Sequence, residues 1–243
     1  TPLIKTNLWG ATVFLKQDQL FPTGSFKDRG SSVLITKIAE LGLQKVVEDS
    51  SGNAGSSIAA YCAQSNIECD ILVPENTAPA KLVQILSYGA NLTRVAGSRQ
   101  DTANAALKRA EKLYYASHSW NPYFFAGTKT VAFEIWEDLE FTVPDTLILP
   151  AGNGTLFLGA YLGFKELQSA GLIDSVPRLI GVQTAQCAPL YESLYDKKLE
   201  PEPDSSNLAE GIAIANPIRG PEILAAVAET GGSLIAVTEP QIK

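Results

Sequence analysis

Methionine is absent from these 243 residues, histidine occurs once, at His118, and cysteine only three times. Each scarcity narrows what the chain can be. Cys62, Cys69 and Cys187 make no C-x-x-C pair and are odd in number, and a single imidazole stands beside them, which argues against a structural zinc site or any other metal centre. Cys62, set among Ile58, Ala59, Ala60 and Tyr61, reads as a small core residue of a protein from a reducing cytoplasm. Basic residues are outnumbered, 19 against 26 acidic ones, and the net charge of −7 argues against a nucleic-acid or anionic-membrane surface. No apolar run approaches the ~18 residues of a membrane span. The opening Thr1-Pro2-Leu3 lacks the charged region of a secretory leader. The missing methionines and the abrupt ending Gln241-Ile242-Lys243 lead us to expect a chain truncated at its C-terminus.

What is present is an alternation of short β-branched runs and helical stretches. Apolar residues make up 45% of the chain, and its length allows one large α/β domain or two smaller ones. Strands are expected at Lys45–Asp49, Cys69–Pro74, Leu92–Ala96 and Tyr114–Ser117, with helices at Ser56–Ser65, Ala78–Tyr88 and Asp101–Leu113 between them. In the second helix Leu82, Ile85 and Leu86 face inward, and Gly89 stops it. Such βα units in series predict a parallel, doubly wound sheet. A second series follows, with strands at Thr146–Leu149, Leu179–Gln183 and Leu234–Val237 and helices at Val131–Leu139, Leu156–Leu167 and Ile223–Thr230. Asp196–Ser206, with Pro201 and Pro203, reads as a surface loop. Two open α/β units with a crevice between them are the simplest architecture.

Three features fall where strands hand over to helices, the places where such sheets bind ligands. Lys27 follows the turn Pro22-Thr23-Gly24-Ser25 and opens a helical stretch, Gly30 to Leu41. Unpaired N–H groups and the macrodipole there disfavour a positive charge, and a lysine of lowered pKa suits Schiff-base chemistry. An isolated lysine in a loop is ordinarily just solvated. The other two features count against that: Ser51-Gly52-Asn53-Ala54-Gly55, whose amides suit a carboxylate, and Ala151-Gly152-Asn153-Gly154-Thr155, a phosphate cradle by the same physics. Neither loop matches a nucleoside-triphosphate or dinucleotide fingerprint. A lysine, a carboxylate turn and a phosphate cup together suggest pyridoxal phosphate with an amino-acid substrate.

The segments Pro22–Gly30, Ser51–Asn53 and Gly152–Thr155 resemble, in order, the three signatures of fold-type II pyridoxal-phosphate enzymes, the tryptophan synthase β-like fold with the cofactor in the cleft between two doubly wound domains. Within that group Pro22–Gly30, Asn121-Pro122, Gly127–Thr130 and Gly181–Gln183 look most like threonine synthases. The resemblance implies that Lys27 carries the cofactor and later moves protons. It implies Asn53 at the cofactor's phenolate oxygen and Gly152, Asn153, Gly154, Thr155 and the amide of Leu156 at its phosphate. Ser51, Gly52, Ala54 and Gly55 would hold the substrate carboxylate. Residues 28–122 would form a smaller mobile domain, residues 1–27 with 123–243 the larger one, in a cytoplasmic homodimer. A Ser, Thr or Cys beside the pyridine nitrogen would lie beyond Lys243.

The chain departs from threonine synthases where they bind the phosphate of O-phosphohomoserine with an Asn-Ser pair and an Arg. Here His118, Ser119 and Phe124 stand at those positions. His118 replaces part of the lost charge only when protonated, and it reads equally as an ordinary hydrogen-bonded histidine at a strand end. Arg29 or Lys129 are further candidate cations, and equally surface or structural residues. The alternatives are therefore a serine/threonine dehydratase or a β-replacement enzyme, or a catalytically inactive paralogue serving as a binding subunit.

Overall fold

The computed structural model describes residues 1–200 and 207–243, whose strands pair into three sheets. Two compact units divide the chain, Thr1–Gly127 and Thr128–Lys243.

The first unit begins with a hairpin that the pattern of apolar residues does not announce. Strands β1 (Leu3–Leu8) and β2 (Ala11–Lys16) pair antiparallel. Trp9 and Gly10 turn the chain at φ 50° and 81°, the mirror-image turn whose twist suits a hairpin. Its large apolar residues Ile4, Phe14 and Leu15 stay exposed, so no buried face marks the strands in the sequence.

Helix α1 (Lys27–Glu40) leads into β3 (Lys45–Glu48), α2 (Asn53–Gln64), β4 (Glu68–Pro74), α3 (Pro79–Ser87), β5 (Asn91–Val95), α4 (Arg99–Ala110) and β6 (Tyr114–Tyr115). The sheet order is β5-β4-β3-β6 and every neighbouring pair is parallel, as the βα alternation predicts. From β3 the chain steps outward to β4 and β5, then crosses back to lay β6 on the other side of β3. That reversal makes a topological switch point beyond the carboxyl ends of β3 and β6. Leu34, Ile35 and Ile38 of α1, Ile58 and Cys62 of α2 and Val46, Cys69, Ile71 and Val73 of the strands form the buried core.

Three expectations are corrected here. Helix α2 starts at Asn53 rather than Ser56, so Asn53, Ala54 and Gly55 are its first turn. Leu86 is exposed: it lies about 100° around the helix from the buried Ile85, on the outer face. Strand β6 stops at Tyr115 because Ser117 turns the chain, its hydroxyl accepting from the amides of Ser119 and Trp120. Helix α5 (Pro122–Thr128) follows, its entry set by Asn121, whose Oδ1 accepts from the Tyr123 amide at 3.0 Å. A Cβ on Gly30 would lie 2.4 Å from the Phe124 ring, so this glycine is what lets α5 pack on α1.

The second unit comprises α6 (Thr130–Asp138), β7 (Thr146–Pro150), α7 (Thr155–Ser169), β8 (Arg178–Thr184), α8 (Pro189–Tyr195), α9 (Gly220–Glu229), β9 (Ser233–Val237) and α10 (Glu239–Ile242). Its sheet runs β7-β8-β9, again all parallel, around buried Phe157, Phe164, Leu179, Ile223 and Leu234. Part of the expected surface loop, residues 201–206, lies outside the described residues. Among the described residues no helix is long and apolar enough to cross a membrane.

Candidate active site

In the first unit the lysine turn is clamped by one buried carboxylate. The amide and hydroxyl of Thr23 donate to Asp28 at 2.9 and 2.5 Å, and Ser57 of α2 donates to the same group at 2.6 Å. Asp28 thus ties the turn before Lys27 to the helix that begins at Asn53. Lys27 is the first residue of α1, its amide donating to Ser25 Oγ at 3.2 Å. Its Nζ lies 4.7 Å from the centre of the Phe26 ring and 5.8 Å from that of Phe124. Burial lowers its pKa to about 8, against the opposing pull of the Glu48 carboxyl. Roughly a tenth of such amines are neutral at pH 7, against less than a thousandth of ordinary lysines.

The switch point holds a pair that the motifs do not reveal. Glu48 ends β3, His118 lies just past β6, and His118 Nδ1 sits 2.7 Å from Glu48 Oε1. Glu48 is 0% exposed and His118 7%. Glu48 Oε2 is buried with no hydrogen-bond partner among the described residues. Burial, then the charge of Asp49, drives the Glu48 carboxyl well above its usual range. Burial, then the positive charges of Lys27 and Arg99, drives His118 well below its own. Both shifts favour the neutral forms of the pair. The His118 ring meets Phe124 edge-on, centroids 6.2 Å apart, so Phe124 borders both His118 and Lys27.

Burial and the 2.7 Å contact with Glu48 disfavour His118 as a substitute cation. The other candidate cations are also engaged. Arg29 is buried and makes a forked pair with Asp18 at 2.8 and 2.7 Å, a structural latch near the chain's start. Lys129, in the second unit, pairs with Glu166. Ser119 is buried beside His118 in sequence, and Phe124 is fully buried.

The turn before α2 leaves Gly52 and Asn53 exposed and Ser51 half-buried, whereas Ala54 and Gly55 are buried. Gly52 caps the helix without a side chain, so the first-turn amides, which have no acceptor within the helix, are its anion-facing groups. A Cβ on Gly55 would fall 1.9 Å from the Ser50 carbonyl oxygen; glycine there lets the helix sit against its own turn.

In the second unit Gly152 to Leu156 lie where β7 passes into α7. Gly154 caps α7 in the left-handed region, φ 74° and ψ 11°, and a Cβ on Gly152 would come 3.0 Å from Ile212 Cα. The loop is built to bring main chain, not side chains, to a ligand. Gln183 of β8 supports it from beneath. Fully buried, it donates to the Ala151 carbonyl at 3.0 Å and accepts from the amides of Leu190 and Tyr191, each at 3.0 Å. These features fit pyridoxal phosphate: an amine of lowered pKa for its aldehyde and a glycine-lined helix N-terminus for its phosphate.

Glu48 and Gln183 are the residues sequence reasoning missed as contributors. A usable signal existed for Glu48, since two acids, Glu48 and Asp49, end an otherwise β-branched strand directly before a glycine turn.

A family model described as pyridoxal-phosphate dependent enzyme matches residues 1–243. A threonine synthase of Methanocaldococcus jannaschii is 38% identical over 251 residues, covering 100% of this chain and 62% of that relative. The chain thus spans about three fifths of the relative's length. A serine racemase of maize superposes with a TM-score of 0.80 at 21% identity, covering 99% of this chain and 73% of the other. A fungal L-serine ammonia-lyase from Rhizomucor miehei does so at 0.79 and 24%, covering 98% and 76%. These two likenesses show the fold.

Proposed function

This chain belongs to the pyridoxal-phosphate-dependent enzymes, and from that premise we propose that it is a carbon–oxygen lyase of the threonine synthase kind, converting O-phospho-L-homoserine and water to L-threonine and phosphate. The observation that carries the reading is Lys27, a lysine at a helix start whose pKa is lowered to about 8. The similarity to a threonine synthase supports the choice of substrate.

In this reading Lys27 binds the cofactor's aldehyde carbon. Asn53 contacts its phenolate oxygen, and Gly152, Asn153, Gly154, Thr155 and the Leu156 amide hold its phosphate. The bound cofactor supplies an electron sink for a carbanion next to the substrate nitrogen. Amides around Ser51, Gly52, Ala54 and Gly55 orient the substrate carboxylate, and His118 and Ser119 line the leaving-group end. Lys27, as a neutral amine, would take a proton from substrate carbon and later pass it on. Residues 28–122 act as the smaller, mobile body and residues 1–27 with 123–243 as the larger; the protein works as a homodimer.

One observation favours a second reading. His118 is tied to Glu48 with its pKa lowered by burial, and Arg29 and Lys129 are paired elsewhere, which suits a small uncharged leaving group, as in elimination from L-serine or L-threonine. Phosphate release from O-phospho-L-homoserine with threonine formed is the expected result for the protein loaded with pyridoxal phosphate. Keto acid from L-serine or L-threonine, with no phosphate release, replaces the first reading by the second; silence in both assays sinks both.

A further inference from the structure

We propose that Glu48 and His118 form the proton-donating pair for the departing oxygen, with Glu48 as the residue that positions the imidazole and relays a proton to it. The inference rests on the reading of Lys27 as the cofactor lysine. Its geometric basis is the switch point: neighbouring parallel strands β3 and β6 deliver Glu48 and His118 to the same end of the sheet, 2.7 Å apart. Phe124 lies against both the His118 ring and the Lys27 amine. A carboxyl that is 0% exposed, with Oε2 lacking a partner among the described residues, is costly to keep. The groups facing the pair are Lys27 of α1, Arg99 of α4, Cys69 of β4, Asp49 after β3 and Tyr115 of β6. Arg99 pairs with Asp49 at 2.7 Å and Tyr115 donates to Asp49 at 2.7 Å, which occupies Asp49.

Either leaving group departs more readily with such a donor. Breaking the C–O bond sends its electron pair out with oxygen, as hydroxide from a hydroxy-amino acid or as the phosphate trianion from a phosphate ester. Both are poor leaving groups until protonated. Glu48 occupies Nδ1, so the proton leaves from His118 Nε2, and the Glu48 proton moves to Nδ1 behind it. The electron pair of the C–H bond that Lys27 has opened becomes the new carbon–carbon double bond. The proton Lys27 took then passes to Nε2, and the Nδ1 proton goes back to the Glu48 carboxylate. The pair ends as it began, and what has been lost is water or hydrogen phosphate. The ring itself stays neutral at each stage, which is how it serves in a buried place.

The test compares leaving groups. Chloride departs without a proton, so β-chloro-L-alanine needs Lys27 but not the pair. In the Glu48→Gln protein, which keeps a hydrogen-bonding group at Nδ1 but has no acidic proton, turnover of the oxygen substrate is expected to fall about 100-fold, with KM little changed and chloride elimination within about threefold of the original protein. Equal loss with both substrates overturns the pair and leaves the cofactor reading standing. Failure of the unaltered protein to eliminate chloride overturns the cofactor reading and this inference with it. A second readout needs neither folding of the variant nor activity. His118 is the sole histidine, so nitrogen-15 resonances of its ring identify themselves. A neutral ring protonated at Nε2 near pH 7 is expected; a ring protonated at Nδ1 with bare Nε2 has no proton to give and overturns the proposal.

Discussion

The two units present opposite kinds of chemistry at the ends of their parallel strands. In the first, three ionisable side chains from separate elements, Lys27 of α1, Glu48 of β3 and His118 after β6, are brought into one buried neighbourhood. In the second, Gly152 to Leu156 offer main chain, with no ionisable side chain among them. One arrangement shifts pKa values and costs stability; the other asks only for a left-handed glycine and a well-supported loop. Reactive groups need burial to become reactive, whereas an anion needs only amides and a helix end.

The largest expected effect breaks the comparison at its reactive side. Lys27→Ala should remove the visible absorption of bound pyridoxal phosphate altogether and reduce turnover to background, while equilibrium dialysis still detects cofactor held by the second unit's loop. If the absorption band survives, another lysine carries it.

Gln183→Ala strikes the support of the anchoring loop. It strands the Ala151 carbonyl and the amides of Leu190 and Tyr191 in the interior. Buried groups left unpaired cost about 1–3 kcal/mol each before relaxation. We expect about 2–4 kcal/mol lost in urea unfolding, together with weaker cofactor retention. A loss under about 0.5 kcal/mol, the range of an ordinary surface substitution, means that the clamp is unimportant.

Lys27→Met tests the cost of reactivity by its pH dependence. Because the folded pKa of about 8 lies below the unfolded value of 10.5, the unfolded chain binds more protons between those values. Stability of the cofactor-free protein therefore rises as pH climbs through that window, by up to about 3 kcal/mol. The Met variant should lack this rise and be about 1–3 kcal/mol more stable at pH 7. Parallel pH curves for the two proteins would show that the amine sits in its place at no cost.

Gly154→Ala is the mildest change. Its φ of 74° is strained for alanine, and the new Cβ meets Ile223 Cδ1 at 2.2 Å, the movable end of a side chain. The expected cost is about 1–2 kcal/mol, read by thermal unfolding, with a several-fold loss of affinity for pyridoxal phosphate.

Much of this was legible in the sequence because it is local. The β-branched runs and helix stops predicted the parallel series in both units, and the Pro22–Gly30 turn marked Lys27 before any distance was known. The glycine loop before α7 was readable for the same reason: Gly152, Gly154 and Thr155 sit together in the chain. Residues 3–16 were not, since Ile4, Phe14 and Leu15 bury no face and so leave no period to read. Nor was the meeting of Glu48 with His118, which are 70 positions apart and converge only because β6 returns beside β3. His118 read as a possible cation because sequence gives its charge state no context; burial beside a carboxyl of raised pKa supplies that context.

Reductive trapping of pyridoxal phosphate on the unaltered protein, followed by mass mapping of the modified peptide, tests the central claim most directly. The account predicts the phosphopyridoxyl group on the peptide holding Lys27 and on no other lysine. A modification on any other residue, or none after reduction, contradicts it.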